Sequence, residues 1–179
     1  VVTYVDRSMT STRHALIPTE LGELTVVADG DSVTGVYFPG HRPAPDPAGF
    51  GPLVDPPTDA VLAEAGRQLA AYLRGQRDTI DVPATSRGAP FQEAVWSLLR
   101  EIPRGHTVTY GDLARRLGGV NLARAVGTAV GRNPLSIIVP CHRVVGVGGT
   151  LTGYAGGLER KAALLELEAG DGPRAARLF

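Results

Sequence analysis

Cysteine is nearly absent from this chain. Cys141 is the only one, which excludes an intrachain disulfide and a multi-cysteine zinc cluster. No apolar run approaches the roughly 18 residues that a membrane-crossing helix needs. The opening Val1-Val2-Thr3-Tyr4-Val5-Asp6-Arg7 lacks a basic region followed by an apolar core. No secretory signal is therefore readable, and a cytoplasmic location is expected. Methionine occurs once, at Met9, and the first dozen residues are set aside as an extension outside the fold. Net charge is lacking too, because 18 basic and 18 acidic side chains cancel. That balance gives no sign, by itself, of a nucleic-acid partner.

What is present is unevenly placed. From Arg87 to Lys161 ten Lys or Arg face four acids, a net of +6, while the remainder holds eight basic and fourteen acidic residues. Such asymmetry hints at polyanion binding by one part of the chain, against the plainer alternative of scattered solvated charges. The 43% hydrophobic content over 179 residues is enough to bury a sizeable core.

Two β-branched runs, Leu24 to Ala28 and Val33 to Phe38, flank Asp29-Gly30-Asp31 and predict a hairpin. Residues 39–57 are rich in Pro, Gly and Asp and predict a loop. Thr58 is the expected cap of a helix reaching about Arg74, with Val61, Leu62, Ala65, Leu69, Tyr72 and Leu73 at helical spacing. Thr79 to Val82 reads as one more strand, and 84–88 as a linker.

Beyond the linker the pattern turns helical. Pro90 opens a helix with Phe91, Ala94, Val95, Leu98, Leu99 and Ile102 on its apolar side. Thr109 precedes a short helix that ends at Gly118-Gly119, and Asn121 is the expected cap of another running to about Gly131. Two short helices joined by a Gly-containing turn suggest a helix-turn-helix, although many such hairpins bind nothing. In the second helix Ala123, Ala125, Gly127, Ala129 and Gly131 leave the surface nearly bare, with Arg124 as the long side chain of the first turn. Core packing explains small residues, and so does close approach to a groove. Ser136 to Val145 reads as an apolar strand that delivers Pro140-Cys141-His142-Arg143. A lone cysteine is commonly a small buried hydrophobe. His142 and Arg143 are candidates for lowering its pKa.

Pro140-Cys141-His142-Arg143-Val144 resembles the signature of the O6-alkylguanine-DNA alkyltransferases. The resemblance extends through Phe91-Gln92-Glu93-Ala94-Val95-Trp96, Ile102-Pro103-Arg104-Gly105, Tyr110, Arg124-Ala125-Val126-Gly127 and Asn133-Pro134. It continues in Gly153-Tyr154, Gly156-Gly157-Leu158, Lys161 and Leu164-Leu165-Glu166-Leu167-Glu168, covering about residues 88–168. It implies an α/β (α+β) fold, with a small N-terminal α/β domain bearing an antiparallel sheet over 1–85. A helical domain with a winged-helix-like helix-turn-helix follows over 86–179.

The resemblance also implies a DNA repair methyltransferase that flips O6-alkylguanine, and O4-alkylthymine, out of duplex DNA. The alkyl group passes irreversibly to Cys141, once per molecule. Catalytic roles then fall to Cys141 as acceptor and to His142 as base through a water. Glu168 orients the histidine, and Asn133 bridges the recognition helix and the cysteine loop. Tyr110 pushes the 3′ phosphate and protonates the leaving base. DNA contacts fall to Arg124 as the side chain that fills the stack, with Tyr110, Ala123, Ala125, Gly127 and Thr128. The base pocket falls to Tyr154, Val144, Ala155, Lys161 and Val130. No cofactor, membrane contact or obligate protein partner is implied, and the protein is expected to be a monomer with scope for cooperative binding on DNA.

Some relatives carry zinc in the N-terminal domain, and His14, His41 and His106 invite that suspicion. The cysteines it needs are missing, so no metal is expected. Val130 and Val147 leave tolerance of bulky alkyl groups open. A non-catalytic module that recognises alkylated bases is the alternative, and Cys141 speaks against it. A cysteine hydrolase would differ by turning over many times. The helical position of Glu168 supports its role independently: it follows Leu164 and Leu165 by four and three residues and shares their side. A carboxylate there needs a partner.

Overall fold

The computed structural model describes residues 11–170 and the backbone of Ala176 and Arg177. Of the first dozen residues, expected to be an extension outside the fold, 1–10 lie outside the described residues, while Thr12 belongs to the first strand. Strand β1 (Thr12–Ile17) pairs antiparallel with β2 (Leu24–Asp29), which pairs with β3 (Ser32–Tyr37). The turn from β2 to β3 uses Gly30 at φ 55, a left-handed position that suits a tight hairpin. Helix α1 (Ala60–Leu73) covers the sheet, with Leu62, Ala65, Leu69 and Leu73 buried beside Ala15, Ile17 and Val26. Gly66 allows this closeness, since a Cβ there would lie 2.8 Å from Cδ1 of Ile17.

The helical part comprises α2 (Pro90–Arg100), β4 (His106–Thr109), α3 (Tyr110–Arg116), α4 (Ala123–Gly131), β5 (Val144–Val145), α5 (Leu158–Ala169) and β6 (Ala176–Arg177). Strand β4 lies between β5 and β6, parallel to both. Thr109 and Asp112 cap α3 reciprocally: Thr109 Oγ1 accepts from Asp112 N at 3.1 Å, and Asp112 Oδ2 from Thr109 N at 2.8 Å. Helices α3 and α4 form the expected helix-turn-helix, held from behind by α2, whose Trp96 Nε1 donates to Ala129 O at 2.8 Å. The mixed α/β class and the antiparallel N-terminal sheet agree with the sequence reading.

Five local expectations need correction. The cap of α1 is Asp59, which accepts from Val61 N and Leu62 N, whereas Thr58 belongs to a preceding 3-10 turn and donates to Asp55 O. Residues 79–82 form no strand, and Asp81 N donates to the Gln68 side chain at 2.7 Å in place of a ladder partner. Asn121 caps nothing, being inside a 3-10 turn, Val120–Leu122, that runs directly into α4. The segment before Cys141 is not a strand either. Pro134 and Pro140 have no N–H to offer a ladder, and Ile137 sits at φ 73. Leu135 alone bridges to Val36 of β3, and the chain then turns tightly, with Val139 N donating to Leu135 O at 2.8 Å. Ala94, expected on the apolar side of α2, is exposed.

Candidate active site and DNA-binding face

Cys141 opens a 3-10 turn, Cys141–Arg143, and is 3% exposed. The turn is pinned from the end of α4. Asn133 Nδ2 donates to Val139 O at 2.9 Å, and its Oδ1 accepts from Leu135 N at 3.0 Å. Asn133 therefore joins the end of the helix to the cysteine loop by hydrogen bonds. Burial pushes the thiol pKa up, while an Asn133 hydrogen bond and the charge of Lys161 pull it down. Arg143 does not do this work. It turns away into the core, so the sequence-based candidacy of Arg143 as the thiol's cation is corrected to Lys161.

Glu168 organises the core of the site. His142, fully buried, has Nε2 at 2.6 Å from Glu168 Oε1. Arg143 donates through Nε to Oε2 at 2.8 Å and through Nη2 to Oε1 at 3.0 Å. Arg143 Nη1 also donates to Ile102 O, and the Tyr72 hydroxyl donates to Glu168 Oε1. The donors from His142 and Arg143 hold the Glu168 carboxyl well below the usual range despite burial. Burial lowers His142, and Glu168 opposes that. With Nε2–H given to Glu168, Nδ1 is the basic nitrogen, and it has no hydrogen-bond partner among the described residues. Tyr72 was missed by sequence reasoning, because its spacing on α1 marks it only as core.

Lys161, Leu164 and Glu168 are the buried residues of α5, and Glu166 is exposed, as helical spacing required. Lys161 Nζ donates to Thr152 O at 2.8 Å and Gly153 O at 3.1 Å, so it anchors the loop before Tyr154. Burial pulls its pKa down to about 8. Tyr110 donates to Thr152 O at 3.1 Å, and Lys161 Nζ stands 6.0 Å from its ring centre. A cavity of about 370 Å³ opens here, lined among others by Tyr110, Gly127, Thr128, Val130, Tyr154 and Ala155. Val144 and Lys161, assigned to the pocket from sequence, are not in its lining. Val144 is buried in β5 and Lys161 supports the wall from within. Arg42 does line it, and its backbone N–H donates to Ala155 O at 2.9 Å. No sequence signal marked Arg42, which sits in a Pro-rich loop.

On α4, Val126, Ala129 and Val130 face inward, Arg124, Ala125 and Thr128 are exposed, and Ala123 and Gly127 are half-buried. Core packing thus accounts for Ala129 but not for Ala125. Arg87, Arg104, Arg115, Arg116 and Arg143 are in ion pairs. Arg124 and Arg132 are exposed without one among the described residues. Among the described residues, no three of His, Cys, Asp and Glu are grouped to hold a metal ion. No helix among them is long and apolar enough to cross a membrane.

Two family models cover most of the chain. Residues 90–170 match the DNA binding domain of 6-O-methylguanine DNA methyltransferase, and residues 12–85 match its ribonuclease-like domain. The chain belongs to the 6-O-methylguanine DNA methyltransferase family. It is 42% identical over 173 residues to the methylated-DNA–protein-cysteine methyltransferase of Mycobacterium tuberculosis, covering 93% of this chain and 98% of the relative. The Haemophilus influenzae protein of the same name is 40% identical over 161 residues, covering 89% and 88%. In structure the chain is similar to Mycobacterium tuberculosis OGT in complex with DNA, with a TM-score of 0.80 at 41% identity. That comparison covers 90% of this chain and 95% of the other.

Proposed function

We propose that this protein repairs DNA by extruding O6-alkylguanine, or O4-alkylthymine, from the duplex and moving the alkyl group to Cys141 Sγ. Family membership supports a methylated-DNA–protein-cysteine methyltransferase, and in this proposal it acts as a monomer on double-stranded DNA in the cytoplasm, without a cofactor. The observation that carries the reading is the buried His142–Glu168 pair, next in the chain to Cys141, together with a cavity walled by α4, Tyr110 and Tyr154. A damaged base is buried in the stack and has to leave it for its O6 to reach a protein nucleophile. The small outer residues Ala123, Ala125, Gly127 and Thr128 let α4 approach the groove, and Arg124 takes the vacated place.

The chemistry then needs one proton relay. Thiol S–H gives its proton, through a water, to His142 Nδ1, and the imidazolium is stabilised by Glu168. Sulfur attacks the alkyl carbon, a C–S bond forms, and the C–O6 bond breaks with its electrons passing to guanine. Tyr110 protonates the leaving base. Lys161 favours the thiolate electrostatically, while Asn133 holds the loop that presents it. Ala155 supplies backbone beside the base, and Val130 bounds the cavity. The 1–85 and 86–179 division assigns this chemistry to the second unit. A thioether has no easy hydrolytic exit, so each molecule reacts once.

Mass spectrometry after incubation with O6-methylguanine duplex tests this directly. One methyl should appear per molecule, confined to the peptide that contains Cys141. Repair with unmodified protein, or more than one base repaired per molecule, would overturn the proposal and favour a hydrolase. Binding without transfer would favour a recognition module.

A further inference from the structure

Tyr72 has no part in the reaction above, yet its hydroxyl reaches the carboxylate behind the base. It comes from α1, in the N-terminal part, and is 2% exposed. A core role would need only the ring, and Phe would fill that space. The hydroxyl instead donates to Glu168 Oε1, the oxygen that also faces His142 Nε2 and Arg143 Nη2. Arg143 Nη2 lies 3.3 Å from the same hydroxyl, and the Arg104 guanidinium stands 4.8 Å above the ring. Three donors on one carboxylate oxygen exceed its two lone pairs, so they compete for its charge. Each share taken by Tyr72 is lost to the imidazolium that Glu168 must stabilise.

We propose that Tyr72 is a positioning residue that sets the basicity of His142 through Glu168, so that the N-terminal part tunes the transfer site. This rests on the proposed role of His142 as the base. The titratable and charged groups around it come from every packed element: Tyr72 on α1, and Cys141 and Arg143 on the turn. Lys161 and Glu168 on α5, Arg104 before β4 and Tyr154 on its loop complete the set. Tyr72 stays protonated throughout the working range, since burial and Glu168 push it up to about 12. Its effect is therefore that of a fixed donor.

The test is Tyr72→Phe, read by NMR titration of the His142 imidazole and by the pH profile of transfer from free O6-benzylguanine. The His142 midpoint should rise by about half a unit, and the transfer profile should move to higher pH with it. Below the midpoint, transfer should slow by about three-fold while the plateau holds. Should Tyr72→Phe fail to fold, 3-fluorotyrosine at position 72 keeps the shape with a stronger donor, and the midpoint should move down. A folded variant with an unmoved midpoint, even if uniformly slower, overturns the proposal. Wild type that transfers no alkyl group while the imidazole midpoint still shifts would refute the function and spare this inference. Normal transfer with a fixed midpoint does the reverse.

Discussion

Arg143, in the turn that carries Cys141, and Arg124, in the first turn of α4, are the same side chain in regions of opposite character. Arg143 is buried and gives donors to Glu168, Ile102 O and Tyr72. Arg124 is exposed and has no ion pair among the described residues. The first arginine is committed inside the protein, because a buried guanidinium has to satisfy its charge and donors there. The second remains available to a polyanion. One region holds its groups rigidly against a buried carboxylate, and the other presents little side chain at all. A protein that must pull a base from DNA and then react with it needs both.

The comparison can be broken hardest at its buried end. Cys141→Ser should abolish methyl transfer to protein, read by mass spectrometry, while duplex affinity measured by fluorescence anisotropy stays within about two-fold. Retained transfer would move the acceptor elsewhere. Glu168→Gln should cost about 3–5 kcal/mol in urea unfolding, because Arg143 loses its buried countercharge, and should slow duplex and free-base reactions together. The pH dependence follows from the same carboxylate. Its folded pKa is depressed, so the stability it supplies is present above the unfolded value and is lost as pH falls through the Glu range and below. Unfolding midpoints in urea should hold from neutral pH to about pH 5 and drop progressively below about pH 4.5 in wild type, less steeply in Glu168→Gln. Equal slopes would mean that Glu168 is not the group being titrated.

At the exposed end the effects are smaller and confined to DNA. Arg124→Ala should slow duplex repair by about 10–100-fold while sparing free O6-benzylguanine, with stability changed by no more than about 0.5 kcal/mol. Equal slowing of both reactions would place Arg124 in the fold or the pocket. The slope of log affinity against log salt on undamaged duplex should be negative, and should shallow by about one if Arg124 contacts a phosphate. Smallest of all, Asp59→Ala removes the α1 cap and the Arg13 ion pair, with N–O at 2.7 Å, and should cost about 1–2 kcal/mol. Free-base transfer at saturating substrate should not change, since Asp59 lies away from the site.

The sequence by itself determined the reactive elements and their neighbours in the chain. The apolar periods of α1 and α2, the Thr109 start of α3 and the Asp29-Gly30 turn were legible because local propensity and packing agree there. Glu168 could be placed inward from α5 alone, because helical spacing sets which residues share a face. Only the tertiary structure decided what those residues meet. The Cys141 segment is apolar enough to read as a strand, yet two prolines deny it a ladder and Asn133 pins it as a turn. Arg143 lies two positions from Cys141 in sequence but gives its donors to Glu168, and it is Lys161, twenty positions on, whose positive charge acts to lower the thiol pKa. Tyr72 joins that carboxylate from 96 residues away. Such contacts leave no periodic trace, because a buried charge is satisfied by whatever the folded chain brings within hydrogen-bond reach.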